Sequence, residues 1–316
     1  MLGSTGLAVS AVGYGAWGIG GDADGAVAYG PVDRAESLRA LHVALERGVN
    51  FFDTSDFYGH GRSEKLIGEA LAGRRAQALV ATKGGLKADG KSTDFSAAYL
   101  RGALEASLRR LGTDYVDVYY LHSPALEQIG EDTMAALRVF QDAGKVRALG
   151  LSARSPQEAK EGITRFGFRC VQANFNLLDQ RAVECGLLEA ARAAGAGVVA
   201  RTPLSFGFLT GRYAADTDFH ANDHRRNWSE AQRRLWAEAP ALFAALVAER
   251  PGQTPAQFAL RFCLSHQAIS STIPGMLTAA HVEENARAGD LPPLSVEELA
   301  RVAEICGRAS FFAGKR

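Results

Sequence analysis

Gly48-Val49-Asn50-Phe51-Phe52-Asp53-Thr54 is a short apolar and aromatic run that stops at a carboxylate. A run of this length and character reads as a buried strand. The same shape recurs downstream, where Ala78-Leu79-Val80-Ala81-Thr82 stops at Lys83 and Val116-Asp117-Val118-Tyr119-Tyr120-Leu121 stops at His122. Extending the pattern along the chain places strand ends near Gly15, Thr54, Lys83, His122, Ser152, Asn176, Leu204 and Pro274. Helical periodicity fills the gaps, as at 35–47 with Leu38, Leu41 and Leu45 on one stripe, and at Ala97–Leu111 with Leu100, Leu104, Leu108 and Leu111. Ser63 and Ser155-Pro156 read as helix starts. Gly73, Gly112, Gly144 and Gly195 fall where helices should stop.

Eight strands alternating with helices in 316 residues predict the α/β class and a closed (β/α)8 TIM barrel, as a single domain over 1–316. Two segments fall outside the repeat. An N-terminal β-hairpin around Thr5-Gly6 is expected to plug the barrel bottom, and an extra C-terminal helix is expected at 296–306. The connection 205–228 is long for a βα loop and reads as a lid or binding loop.

Composition narrows the function classes. Hydrophobic content of 47%, charged content of 22% and a formal net charge of zero describe an ordinary globular protein with no basic excess for nucleic acid or an acidic membrane. The four cysteines form no Cys-x-x-Cys pair, so neither a zinc site nor a disulfide framework is expected. With no apolar run of about 18 residues and no charged n-region at the start, a cytoplasmic location is the default expectation.

In a parallel barrel, side chains at the C-terminal strand ends converge on one mouth. Asp53, Lys83 and His122 fall there, with Tyr58 just beyond Asp53. Each alone has a structural explanation: a capping carboxylate, a packed tyrosine, a solvated lysine, a core histidine. Together they make a proton-transfer device, because an ammonium beside a phenol stabilises the phenolate and a carboxylate can hold the ammonium in place. Gly13-Tyr14-Gly15-Ala16-Trp17-Gly18 spells the dinucleotide pattern G-x-G-x-x-G, but the following Ile19-Gly20-Gly21-Asp22 cannot open the helix that pattern requires. His220 and His224 with nearby aspartates lie in a stretch that reads as solvated loop, so no metal is expected.

Phe52-Asp53-Thr54-Ser55-Asp56-Phe57-Tyr58-Gly59, Ala81-Thr82-Lys83-Gly84 and Tyr120-Leu121-His122-Ser123-Pro124 resemble three signature blocks of the aldo-keto reductase superfamily. Further matching blocks, from Gly150-Leu151-Ser152 through Gln172 and Asn176 to Ile273-Pro274-Gly275 and Glu284-Asn285, extend the resemblance over nearly the whole chain. It implies reduction of a small-molecule aldehyde or ketone with a nicotinamide cofactor. Tyr58 would be the general acid, His122 would orient the carbonyl oxygen, Lys83 would lower the tyrosine pKa, and Asp53 would fix Lys83.

For the cofactor, the resemblance implies Ser152 and Gln172 at the carboxamide, Arg201 in place of a stacking aromatic, and Pro203, Leu204, Gly207, Leu209 and Gly211 in the pyrophosphate loop. Gly275, Glu284 and Asn285 would serve the adenosine end. NADP(H) is the family default. Ala153 stands where asparagine is frequent, and Leu277 stands where related bacterial members carry an arginine for the 2′-phosphate, so NAD(H) use is also expected. His281 is a partial substitute for that arginine.

Trp17, Phe57, Phe206 and Trp228 are expected to line the substrate pocket, with Arg201 and Arg225 or Arg226 near the mouth. Apolar, sugar-like and acidic substrates all fit that set. Two other functions share the motifs: an NAD-linked sugar or alcohol dehydrogenase, and a cofactor-binding regulatory subunit of the potassium-channel β type. Oligomeric state is not legible.

Overall fold

The computed structural model describes residues 1–314. Eight strands lie side by side in sequence order and all neighbours are parallel: β1 (Tyr14–Gly15), β2 (Phe51–Asp53), β3 (Leu79–Gly84), β4 (Val116–His122), β5 (Val146–Ser152), β6 (Cys170–Asn174), β7 (Gly197–Arg201) and β8 (Ile269–Ile273). The circle closes through the bridges Val12 to Thr272 and Gly15 to Gly275, where Gly13 N–H donates to the Thr272 carbonyl at 2.8 Å and Gly15 N–H to the Pro274 carbonyl at 3.0 Å. This is the expected (β/α)8 barrel.

Helices α1 (Arg34–Glu46), α2 (Arg62–Ala70), α3 (Ala97–Leu111), α4 (Glu131–Asp142) and α5 (Pro156–Phe166) each follow the strand of the same number. After β6 the crossover splits into α6 (Arg181–Glu184) and α7 (Leu187–Ala194). After β7 come α8 (Glu230–Leu242), α9 (Ala244–Ala248) and α10 (Pro255–Leu264), and after β8 come α11 (Ala279–Ala286) and α12 (Val296–Arg308). Helix ends follow local chemistry: the Ser96 and Ser155 hydroxyls accept from Tyr99 and Glu158 N–H, while Gly112 and Gly195 close α3 and α7 in the left-handed conformation.

Several local expectations are corrected. Ser63 does not cap α2, which starts one residue earlier after Gly61; its buried hydroxyl donates to the Ala16 carbonyl at 2.9 Å and accepts from Thr54 Oγ1 at 2.8 Å, tying β2 to the β1 loop. Residues 1–10 form no strand ladder. Leu2 N–H donates to the Leu7 carbonyl across a single turn, because both leucines turn inward to the barrel interior instead of pairing along a hairpin. The plugging role stands: Leu2 and Leu7 are fully buried against Phe51, Ala81, Val118 and Val199. β6 and β7 stop at Asn174 and Arg201, short of Asn176 and Leu204, because Asn176 Oδ1 accepts from the N–H groups of Leu178 and Asp179 and turns the chain, and Thr202 adopts a positive φ.

Side chains alternate along a strand, so residues two apart share a face. Phe51, Ala81, Tyr120, Cys170 and Val199 all point into the barrel. Moving two residues towards the C-terminal end of each strand gives Asp53, Lys83, His122, Gln172 and Arg201. The register aligns them, with Asp53 opposite Ala81, Lys83 opposite Tyr120, His122 opposite Ser152 and Ser152 opposite Gln172. One polar layer therefore caps the apolar interior. The layer beneath is tight: a Cβ on Gly150 would lie 2.5 Å from the Tyr120 ring, whose hydroxyl meets Cys170 Sγ at 3.1 Å.

Candidate active site

Lys83 is the centre of the polar layer and is completely buried. Its ammonium donates to Asp53 Oδ1 at 2.6 Å, to the Thr54 carbonyl at 2.7 Å and to the Tyr58 hydroxyl at 3.1 Å, which uses all three of its hydrogens. The second oxygen of Asp53 accepts from the Gln172 amide at 2.7 Å, and the Gln172 carbonyl accepts from the Ser152 hydroxyl at 3.1 Å. Arg201 completes the layer, donating to Asn174 Oδ1 at 2.8 Å and to the Ala153 carbonyl at 2.8 Å. Its guanidinium also lies 3.4 Å from Ser152 Oγ.

Electrostatics follow from this burial. Desolvation works against the Lys83 charge, but the Asp53 carboxylate and Tyr58 oxygen outweigh it and hold the ammonium above its ordinary pKa. For Tyr58, burial raises the pKa and the opposing pull of Lys83 only partly offsets it, so the phenol stays protonated at neutral pH. The expected net lowering by Lys83 is thus corrected: the lysine pulls in the expected direction, and desolvation is larger. His122 is pushed well below its ordinary value by burial, with Lys83 and Arg201 adding to it, so its ring is neutral. The Tyr58 and His122 rings stand edge to face with centroids 6.1 Å apart.

A cleft of about 610 Å³ opens above this layer. Its walls include Asp53, Tyr58, His122, Gln172, Arg201, Pro203, Leu204 and Gly207 on one side of the chemistry, and Gly275, Leu277, Glu284 and Asn285 at the far end. Lys83 and Ser152 lie beneath its surface, reached only through their partners. Leu209 and Gly211 do not line it: Leu209 faces the hydrophobic core, and Gly211 ends the 3₁₀ turn Ser205–Thr210 in the left-handed conformation. Asn285 is buried, and its Oδ1 has no hydrogen-bond partner among the described residues. A buried amide oxygen left open at the cleft wall is what a polar ligand edge would satisfy.

Trp17 and Phe57 line the cleft, as do Phe206 and Arg225. The Trp17 indole N–H donates to the Val27 carbonyl at 2.9 Å, which fixes the ring. Trp228 is corrected: it stands behind the wall, packed on Trp236 at 5.0 Å and Phe206 at 5.5 Å, because Phe206 and His224 occupy the surface in front of it. Arg226 turns outward to Asp218. The connection 205–228 is clasped to the β1 loop, where His224 N–H donates to the Ala28 carbonyl at 2.8 Å and Asn222 donates to Asp22 at 2.9 Å. Arg225, paired to both oxygens of Asp223, sits among the rings of Tyr29, Tyr213 and Phe219.

Seven contributors to the cleft and its support are not legible as such in the sequence. Leu86, Asp89, Gly90 and Lys91 reach the cleft from the β3–α3 loop, and Tyr29 and Thr210 from the two clasped loops. Ser55 touches His122 from inside the first signature block, where its neighbour Asp56 was readable as a further carboxylate. His220 donates no ligand set: among the described residues there is no group of three metal-ligating side chains, and His224 is an aromatic packing element against Trp17. Among the same residues no helix is long and apolar enough to cross a membrane.

A parallel barrel whose mouth holds a buried Asp-Lys-Tyr relay beside a neutral histidine and an elongated cleft defines a reductase-type site. The aldo/keto reductase family model matches residues 11–306, and the chain belongs to that family of nicotinamide-dependent carbonyl oxidoreductases. It is 30% identical over 317 residues to the aldo-keto reductase yakc [NADP(+)] of Schizosaccharomyces pombe, covering 97% of this chain and 91% of that one. Identity to L-galactose dehydrogenase of Arabidopsis thaliana is 32% over 304 residues, covering 91% and 86%. The solved structure of the glycerol dehydrogenase AKR11B4 from Gluconobacter oxydans superimposes with a TM-score of 0.81 at 29% identity, covering 97% of this chain and 94% of that one.

Proposed function

We propose that the protein reduces a small aldehyde or ketone to an alcohol with Tyr58 as the proton donor. The observation that carries this is the fully buried ammonium of Lys83, 3.1 Å from the Tyr58 hydroxyl and 2.6 Å from Asp53. A bound nicotinamide cofactor supplies the hydride. As negative charge grows on the carbonyl oxygen, Tyr58 delivers its proton to that oxygen, and Lys83 and Arg201 stabilise the phenolate left behind. Asp53 and Gln172 keep Lys83 from following the charge. The complete proton-delivery set favours chemistry over a purely regulatory role.

Tyr58→Phe removes the hydroxyl while leaving the cleft walls intact. It should lower kcat by about 10² to 10⁴ with cofactor affinity unchanged, measured by fluorescence titration and steady-state turnover. Retention of most of the activity would show that another group is the acid.

The cofactor reading is dual use of NADH and NADPH. Leu277 packs beside Gly18, and its N–H donates to His281 Nδ1 at 3.3 Å. Burial, reinforced by Arg212, holds His281 below its ordinary pKa, so it offers no cation to a 2′-phosphate. Arg212 is itself paired with Glu284 at 2.5 Å. Parallel titrations with the two reduced cofactors should give similar affinities; NADPH binding roughly a hundredfold tighter would overturn this.

A sugar or polyol is the favoured substrate class, because Asp89 and Lys91 offer hydroxyl partners beside the Trp17 and Phe57 rings. The sugar and polyol names of two relatives support it, and also support operation in the oxidative direction.

A further inference from the structure

We propose that Ser55 and Asp56 are positioning residues that decide which ring nitrogen of His122 carries the proton, so that pH selects between a His122 that donates to a carbonyl oxygen and one that accepts from an alcohol hydroxyl. The proposal rests on the reading of His122 as the imidazole that faces substrate.

Three contacts converge on one oxygen. Ser55 Oγ lies 3.1 Å from His122 Nδ1 and 3.1 Å from Asp56 Oδ1, and it accepts from the Phe57 N–H at 3.1 Å. A hydroxyl has one hydrogen and two lone pairs. Phe57 takes one lone pair, so of Asp56 and His122 one must receive the serine hydrogen and the other must donate to the remaining lone pair. His122 is neutral and has a single N–H to place. Its Nε2 makes no hydrogen bond within the described residues, and the ring lines the cleft, so Nε2 is the nitrogen presented to substrate.

The two arrangements are therefore linked. With Asp56 ionised, the serine hydrogen must go to the carboxylate, His122 must donate from Nδ1, and Nε2 is a bare acceptor. With Asp56 protonated, Asp56 donates to Ser55, Ser55 donates to Nδ1, and Nε2 carries the hydrogen. Passing from the second to the first, the Asp56 proton moves to Ser55 Oγ and the serine's own hydrogen moves to Nδ1. Nε2 then releases its hydrogen into the cleft, so one proton leaves and the negative charge appears on Asp56.

Asp56 is built to titrate in the useful range. Burial, with Glu64 adding like-charge repulsion, pushes its carboxyl up to about 7, against the Ser55 hydrogen bond, the Arg110 charge and the Phe57 N–H that Asp56 shares with Ser55 Oγ. The groups facing it are Glu64 on α2, Arg110 and Tyr99 on α3, and Tyr119 on β4. Arg110 is paired with Glu64 at 2.5 Å, which leaves Asp56 without a cation of its own. Lys83 and Arg201 are the charges that act on His122.

The test reads the tautomer directly. The full chain, labelled with ¹⁵N-histidine, is followed by two-bond ¹H–¹⁵N correlation from about pH 5.5 to about pH 8.5; His122 is identified among the seven histidines by the signal absent from His122→Asn. The expected result is that the two ring nitrogens exchange protonated and unprotonated shifts as pH rises through about 7, without an imidazolium signature. Ser55→Thr should keep the exchange, and Ser55→Ala and Asp56→Ala should each abolish it. A wild-type tautomer that does not change with pH, or an exchange that persists in either alanine variant, overturns the proposal. Because the readout needs no turnover, a failure of the Tyr58 assignment is seen separately.

Discussion

Lys83 shows how much one buried charge depends on its neighbours. Its ammonium spends every hydrogen on Asp53, Thr54 and Tyr58. Lys83→Met should leave the buried Asp53 carboxyl with the Gln172 amide as its hydrogen-bond partner and Arg201 as its remaining cation, at a cost of about 3 kcal/mol in folding free energy, measurable by urea denaturation at pH 7. The sign of the pH dependence follows from the raised Lys83 pKa: its contribution to stability is fully present below the ordinary lysine value and is lost as pH rises through the higher folded value. The wild-type advantage over the variant should therefore hold across the neutral range. At this scale the residue identities were legible, since Asp53, Lys83 and His122 stand at or beside recognisable strand ends and Tyr58 follows Asp53 in the loop after β2. The balance of forces on them was not. Whether desolvation or a neighbouring charge dominates depends on depth and distance, and for Tyr58 it is depth.

Elements were legible where their signals are local. The helix at Ala97–Leu111 carries its own apolar stripe, its serine cap and its terminal glycine, and it has the expected limits. Expectations failed where a side chain serves another element: Ser63 bonds across to the β1 loop, Asn176 bends the chain after β6, and Leu2 and Leu7 prefer the barrel interior to a hairpin. Strand β1 is the shortest, and its backbone bridges to β8 close the barrel, with the Tyr14 hydroxyl donating across the same seam to the Met276 carbonyl. A Cβ on Gly15 would lie 2.7 Å from the Ile273 carbonyl oxygen and 2.8 Å from that of Pro274, neither of which can move without opening the β1–β8 seam. Gly15→Ala should cost about 1–3 kcal/mol, read as a lowered Tm. It should also weaken cofactor binding, because Gly15 and Gly275 line the same cleft wall.

Across the whole molecule, the sequence by itself determined the class of architecture and the identity of the chemical groups. Strand and helix periods are local and repeat eight times, and Asp53, Lys83, His122, Ser152 and Arg201 stand at or one residue before the ends of their strands. Only the tertiary structure decided which groups touch. Strand register put Gln172 against Asp53 although the two are far apart in the chain, and placed Ser152 and Lys83 behind the surface instead of on it. It moved Trp228 behind Phe206, neutralised Arg212 with Glu284, and set Ser55 between Asp56 and His122. Period and propensity act along a few residues, whereas desolvation, hydrogen-bond partnership and proton placement depend on what the closed barrel brings within about 3 Å.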